Sequence, residues 1–328
     1  MTEGRQASEV ANWRAGFSGS VHVVRDGTDV VRESFGMADK AAGRRCEPRT
    51  AFQLASISKQ MTAAAVLRLV EDGKLTVDEP ISRWFPNARR WRDITIRQLL
   101  THTAGLKSWE DLPRLSLYRP LPERSVIETF ARASLALAPG TAFRYSSPGY
   151  VLLSHIVEQE SGRPYRQVLR TMFDEAGMAS SGAGAHSPDP AIDASGYRAG
   201  RRRPSFELVA VSRGAGDVWS TVDDLAKWNR ALFGGQILPL AIVENALRPH
   251  AHVPVEQPGP RSIGYGYGWI IYELSDGPMW FHTGQNAGFA GINARFPGDD
   301  LSVIVLSNEE TTDVRDICSR LRAESLSS

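Results

Sequence analysis

Strand-forming runs stand at both ends of this chain with little strand signal between them, and that order restricts the fold more than any other feature. Near the start, Gly19-Ser-Val-His-Val-Val-Arg25 and Asp29-Val-Val-Arg-Glu-Ser-Phe35 flank a turn containing Asp26-Gly27, the chemistry of a β-hairpin. Beyond residue 262, the runs 264–272, 279–283, 288–296 and 301–307 read as strands in meander order, with Pro297-Gly298-Asp299-Asp300 as one turn. After Lys59 the apolar residues fall at 61, 65, 66, 67, 69 and 70, with Gly73 as a stop, which is a helical pattern. Further helices are expected at about 95–102, 125–136, 148–160, 165–176 and 222–233, and Thr311 to Leu326 closes the chain as a helix. The fold class is therefore α/β of the α+β kind. The terminal strands build one antiparallel sheet flanked by the helix after Ser56 and the C-terminal helix. The lobes are expected as 1–58 with 211–328 for the sheet and 59–210 for a mostly helical block.

Charge narrows the partners. The 38 basic and 37 acidic side chains leave a net charge of +1, so no global field draws the chain to nucleic acid or an anionic membrane. The N-terminus lacks the basic and apolar regions of a secretion signal, and no run of apolar residues is long enough to span a bilayer. A cytoplasmic protein is the expectation. Cys46 and Cys318 are too few for a disulfide framework and have no metal-site spacing. They are expected as reduced, packed thiols, close together if the N-terminal strands pack on the C-terminal helix. His250-Ala-His252 and Arg201-Arg-Arg203 read as polar surface. There is no phosphate loop, dinucleotide loop or His-Glu-x-x-His, so neither cofactor nor metal is expected.

Three short motifs could carry chemistry. Ser56-Ile57-Ser58-Lys59 places a hydroxyl at a helix entrance and an amine one turn later on the same face. Such an amine can take the hydroxyl proton if burial keeps it partly neutral. With only five lysines against 33 arginines in the chain, a lysine here is a rare choice. Tyr145-Ser146-Ser147 precedes Pro148, which suits a first helical position with Ser147 as N-cap. His282-Thr283-Gly284 sits in a strand-like run, where an edge strand can offer side chains and a backbone N–H to an acyl group.

In this order, Ser-x-x-Lys, the Tyr-x-Asn position and His-Thr-Gly resemble the serine β-lactamase and penicillin-binding-protein superfamily. The chain is most similar to its class C β-lactamase-related branch, which includes DD-peptidases, D-aminopeptidases, carboxylesterases and acyltransferases. Gly73–Pro80, Ile94–Leu106, Phe143–Leu153, Gly216–Leu225 and His282–Phe289 resemble signature stretches of that branch. The resemblance implies a β-lactamase/transpeptidase-like fold with the active site between the lobes. It also implies Ser56 as nucleophile, Lys59 and Tyr145 as the proton-transfer pair, and backbone N–H groups of Ser56 and Gln285 as the oxyanion hole. Ser147 takes the place of the family's asparagine, His282 that of its lysine, and Thr283 and Gly284 complete the third motif. A serine offers one donor where asparagine offers two. A largely neutral histidine weakens the attraction for a substrate carboxylate.

The expected activity is that of a serine hydrolase acting through an acyl-enzyme on a small, uncharged ester or amide. A transacylase using the same acyl-enzyme, and a non-catalytic binding protein on the same fold, are the alternatives. Specificity is expected in loops 107–122, 183–205 and 251–263, with Trp109, Tyr118 and the Pro-rich run 253–260 as candidate apolar walls.

Overall fold

The computed structural model describes residues 13–112, 121–204, 209–254 and 263–327. Eight strands among them form one antiparallel sheet: β1 (Gly19–Arg25), β2 (Thr28–Phe35), β3 (Ala251–His252), β4 (Ile263–Tyr265), β5 (Ile270–Leu274), β6 (Gly277–Asn286), β7 (Phe289–Phe296) and β8 (Leu301–Ser307). Their spatial order is β3-β4-β5-β6-β7-β8-β1-β2. The N-terminal hairpin thus joins the C-terminal meander through β1 against β8, with Val21 opposite Val305. The hairpin turn closes in two residues because Asp26 (φ 49°) and Gly27 (φ 74°) both take left-handed backbone, which matches the twist of the flanking strands.

Strand β8 is buried along its whole length, and the alternation of its side chains explains why. Val303 and Val305 pack with Ile317, Cys318 and Leu321 of the C-terminal helix, whereas Ile304 and Leu306 join the core of the helical block. A strand covered on both faces can be apolar throughout. The helices are α1 (Ser58–Glu71), α2 (Ile96–Leu100), α3 (Glu123–Arg132), α4 (Ser147–Ser161), α5 (Tyr165–Glu175), α6 (Val222–Phe233), α7 (Leu240–Ala246) and α8 (Val314–Ser327). Helix α1 is buried on nearly every side over its first ten residues, the signature of a central core helix. No helix among the described residues is long and apolar enough to cross a membrane.

Several expectations are corrected. The run 264–272 is not one strand: Gly268 (φ 81°) turns the chain, Gly266 N–H bonds Trp269 O, and β4 and β5 pair as a hairpin. Helix α7 and edge strand β3 were not expected. Phe52–Gln53 and Val218–Ser220, which flank the helical stretch, and Gly182–Ala183 within it form a small separate sheet. Two-residue strands leave no periodic trace in sequence. Cys46 and Cys318 are both free and buried, as expected, and they pack in separate hydrophobic cores. Tyr118 and residues 255–260 lie outside the described residues.

Candidate active site

Ser56 sits in a single 3₁₀ turn, Ala55–Ile57, that leads directly into α1. The small sheet fixes where that turn stands. Phe52 and Gln53 pair with Ser220 and Trp219, and Leu54 N–H continues the pairing to Val218 O at 2.8 Å. Ala55 then takes φ 48° and is 1% exposed. A left-handed alanine is strained, and tight surroundings are needed to hold it. Those surroundings are β6 on one side and Gly216 on the other.

Lys59, the second residue of α1 and one turn beyond Ser56, is fully buried. Its Nζ lies 2.9 Å from Ser56 Oγ, 3.2 Å from Ser147 Oγ and 2.8 Å from Ala215 O. Burial pushes its pKa well below the usual lysine range, because a low-dielectric surrounding penalises the ammonium. The geometry suits a neutral amine. Ala215 O can only accept, whereas both hydroxyls can also donate, so two N–H bonds leave the lone pair free for the Ser56 proton.

Ala215 O is held by its own loop. Asp217 Oδ1 accepts from Gly214 N–H at 2.8 Å, and Thr62 Oγ1 donates to Gly214 O at 2.6 Å. Burial raises the Asp217 pKa to about 7, the Gly214 N–H opposing the rise.

Tyr145 and Ser147 arrive just ahead of and at the start of α4. The N-cap of α4 is Ser146, not Ser147, and Pro148 is its second residue. Ser146 Oγ donates to Lys107 O and its N–H donates to His102 Nδ1 at 3.1 Å. The one-residue shift leaves the Ser147 hydroxyl to Lys59. Among the described residues the buried Tyr145 hydroxyl meets no partner at full hydrogen-bond geometry, although the Ser56 and Ser147 hydroxyls stand beside it. Burial raises its pKa above the ordinary phenol range, with the Ser56 and Ser147 hydroxyls opposing and the Glu110 carboxylate adding to the rise.

The third motif divides. Gln285 lines the cleft of about 230 Å³ that also exposes Ser56, Tyr145 and Ser147. His282, Thr283 and Gly284 do not line it. His282 is 2% exposed, and its Nδ1 and Nε2 lie 2.6 Å from Thr283 O and 3.0 Å from Tyr265 Oη. Since Thr283 O can only accept, Nδ1 carries the proton and Tyr265 donates to Nε2. Burial first, then Lys59, lowers the His282 pKa to about 3, so the ring is neutral and offers no charge to a substrate. Gly284 has a backbone role: β6 passes Leu54 so closely that a Cβ at 284 would stand 2.0 Å from Leu54 O.

Sequence reasoning missed three contributors: the Ala215 carbonyl, which has no side-chain signature, His102 and Glu110. His102 is buried with φ 57°, and its ring packs 4.2 Å from Tyr145 and 4.6 Å from Tyr265. Its only sequence signal is its place in the stretch 94–106 that resembles a family signature. His250, expected as polar surface, stacks on Tyr267 at 4.1 Å and bonds Asn245 O.

A family model described as Beta-lactamase matches residues 10–327. Esterase EstB of Burkholderia gladioli is 30% identical over 309 residues, covering 81% of this chain and 77% of that protein. Among solved structures, a penicillin binding protein from Bacillus halodurans superposes with a TM-score of 0.84 at 27% identity, covering 97% of this chain and 99% of the other. D-amino acid amidase from Ochrobactrum anthropi SV3 does so with a TM-score of 0.81 at 26% identity and 99% coverage of both chains. With a match along nearly the whole chain and a shared fold, the chain belongs to the beta-lactamase family of serine hydrolases, in the class C-like branch of penicillin-binding-protein homologues, esterases and amidases.

Proposed function

We propose that the protein hydrolyses a small ester or amide through an acyl-enzyme on Ser56. The observation that carries the reading is the buried Lys59 Nζ, 2.9 Å from Ser56 Oγ and held by two further oxygens. Neutral Lys59 takes the hydroxyl proton as Ser56 Oγ bonds to the acyl carbon. The carbonyl electron pair moves onto oxygen, which the N–H groups of Ser56 and Gln285 receive. Collapse breaks the bond to the leaving group. Tyr145, kept protonated by its burial, passes its proton to that group and regains one from the Lys59 ammonium, whose Nζ stands 5.0 Å from the Tyr145 ring centre. Water then attacks the acyl carbon with Lys59 again as base, and Ser56 leaves with its proton restored.

The carboxylate carried by β-lactams and D-alanyl peptides finds no free cation among the described lining residues, which supports an uncharged ester or amide in their place. Intact-protein mass after brief mixing with p-nitrophenyl acetate tests the reading, with S56A as control. An acetyl adduct on wild type alone is expected. An adduct that persists in S56A, or none with any activated ester, overturns it. Diversion of the acetyl group to an added alcohol or amine would assign transfer instead of hydrolysis.

A further inference from the structure

Two short hairpins gather a basic surface outside the cleft. Met37–Asp39 pairs with Arg44–Arg45, Tyr197–Arg198 pairs with Arg201–Arg202, and Lys40 N–H joins the two by donating to Tyr197 Oη at 2.7 Å. Residues 37–45 carry Lys40, Arg44 and Arg45 with one acid, Asp39, and residues 197–203 carry four arginines and no acid, on a chain whose net charge is only +1. Three further carboxylates reach this surface. Glu310 pairs with Arg198 at 3.2 Å and with Arg203 at 3.8 Å. Glu309 accepts from the N–H groups of Ala199 and Gly200, and Asp193 Oδ2 lies 3.1 Å from His186 Nδ1 and accepts from Ser187 N–H. No described carboxylate oxygen lies within 4.0 Å of a side-chain nitrogen of Lys40, Arg44, Arg45, Arg201 or Arg202. The surface therefore keeps an excess of positive charge.

That excess surrounds a hollow of about 710 Å³, lined by Arg44, Arg202 and Arg203 together with Asp39 and Asp193, a size that suits a small ligand. Both carboxylates are already engaged, Asp193 as above and Asp39 by the N–H groups of Ala41 and Ala42 and the Ser195 hydroxyl. Arg44 is fixed in the wall by donating to Ile192 O and Asp193 O. Arg202 and Arg203 donate no hydrogen bond to a described side chain, so their guanidinium donors are open. Neighbouring guanidinium forks match the oxygens of a phosphate, and a doubly charged group answers the excess better than a single carboxylate. The hollow also meets the acylation site at two points. Trp219 in its wall pairs with Gln53, just ahead of the turn that carries Ser56. Glu310, the partner of Arg203, accepts from Gly288 N–H at 2.6 Å, and its carbonyl accepts from the Gln285 side chain at 3.1 Å.

We propose that this hollow is a binding site for a phosphomonoester, in which Arg202 and Arg203 take the phosphate oxygens and Arg44 adds its charge from the wall. The site is distinct from the cleft, with which it shares no described lining residue. The phosphate belongs either to a separate small molecule or to the far end of an ester whose scissile group reaches Ser56, and the recognition chemistry is the same for both.

Isothermal titration with phenyl phosphate in phosphate-free buffer tests it, with benzoate as the singly charged comparison. One phenyl phosphate is expected to bind each chain, more tightly than benzoate, and added salt is expected to weaken it by screening. R202Q and R203Q each lower the affinity roughly threefold to tenfold, as for loss of a partly solvated ion pair. R124Q, which removes an exposed arginine of α3, leaves it as in wild type. S56A also binds as wild type does, which keeps the result independent of the acyl-enzyme reading. No binding by wild type, benzoate bound as tightly as phenyl phosphate, or a folded R202Q/R203Q double variant with wild-type affinity overturns the assignment. The source of the phosphate is read from p-nitrophenyl esters of a series of ω-phosphorylated fatty acids and their phosphate-free counterparts. A higher kcat/KM for a phosphorylated ester that vanishes in the double variant supports the site and places the phosphate on the substrate. Equal kcat/KM across the series, with phenyl phosphate still bound through Arg202 and Arg203, supports the site as one for a separate ligand.

Discussion

Gly284 and Leu54 approach so closely that a single added carbon at 284 would stand 2.0 Å from the Leu54 carbonyl oxygen and 3.1 Å from its carbon. Both atoms are backbone, so neither can turn aside. The contact presses β6, with Gln285 next in line, against the turn that carries Ser56. G284A is therefore expected to push β6 away and separate the Gln285 N–H from the Ser56 N–H. Loss of one oxyanion donor typically costs a factor of about 100 to 1000 in kcat. Steady-state kinetics together with a circular dichroism melt checks it; unchanged kcat in folded G284A would refute the link.

Ser147 supplies one of the three oxygens around Lys59 Nζ. Replacing it by alanine leaves the amine with two partners, one of them the nucleophile itself. A neutral hydrogen bond contributes about 1 kcal/mol, so kcat of S147A is expected to drop by roughly fivefold to tenfold with little change in KM. A change in KM alone would mean that Ser147 binds substrate instead of steadying the lysine.

Asp217 should make stability depend on pH. Its pKa is raised by burial to about 7, against an unfolded value of 3.8. A carboxyl whose folded pKa is raised adds stability while protonated, below the unfolded value, and loses it as pH rises through about 7. The loss is on the order of 4 kcal/mol at most. D217N, which cannot ionise but can still accept from Gly214 N–H, is expected to be nearly flat over that range. Urea titrations at intervals from pH 4 to 8 decide it; parallel curves for wild type and D217N would exclude the assignment.

Arg213 ties the loop before Asp217 to two helices, donating to Glu123 of α3 and to Glu158 of α4 at 2.8 Å. Its side chain is 11% exposed and the two carboxylates are 26% and 30% exposed. R213A leaves two acids facing one another without their cation. Because both remain partly solvated, the expected cost is about 2 kcal/mol, below that of a fully buried pair. Guanidinium denaturation measures it, and R213K is expected to recover only part, since an ammonium cannot fork between two carboxylates.

Most strands of the sheet and the position of α1 were legible in the sequence because each rests on a local period of apolar residues, whereas the two-residue strand β3 and the break between β4 and β5 were not. So were Ser56 and Lys59 as neighbours, since a three-residue spacing on a helix fixes proximity without help from the rest of the chain. Tyr145 and Ser147 could be named by resemblance, but their approach to Lys59 depends on α4 packing against α1, which no local pattern records. The N-cap was misplaced by one residue for a related reason: Ser146 and Ser147 are equally good local caps. Tertiary contacts of Ser146 with His102 and Lys107 decide which of them caps.

What the sequence determined by itself is the order of strands and helices and the one-turn pairing of a nucleophile with an amine, because short-range sterics and periodic burial govern both. The tertiary structure alone decided the rest. It buried Lys59 and so lowered its basicity, brought the Ala215 carbonyl to it, and turned His282 inward onto Tyr265. It also left Glu110 as the one charge among the described residues lining the cleft. Those outcomes follow from desolvation and from contacts between residues far apart in the chain, and both exist only once the core has closed.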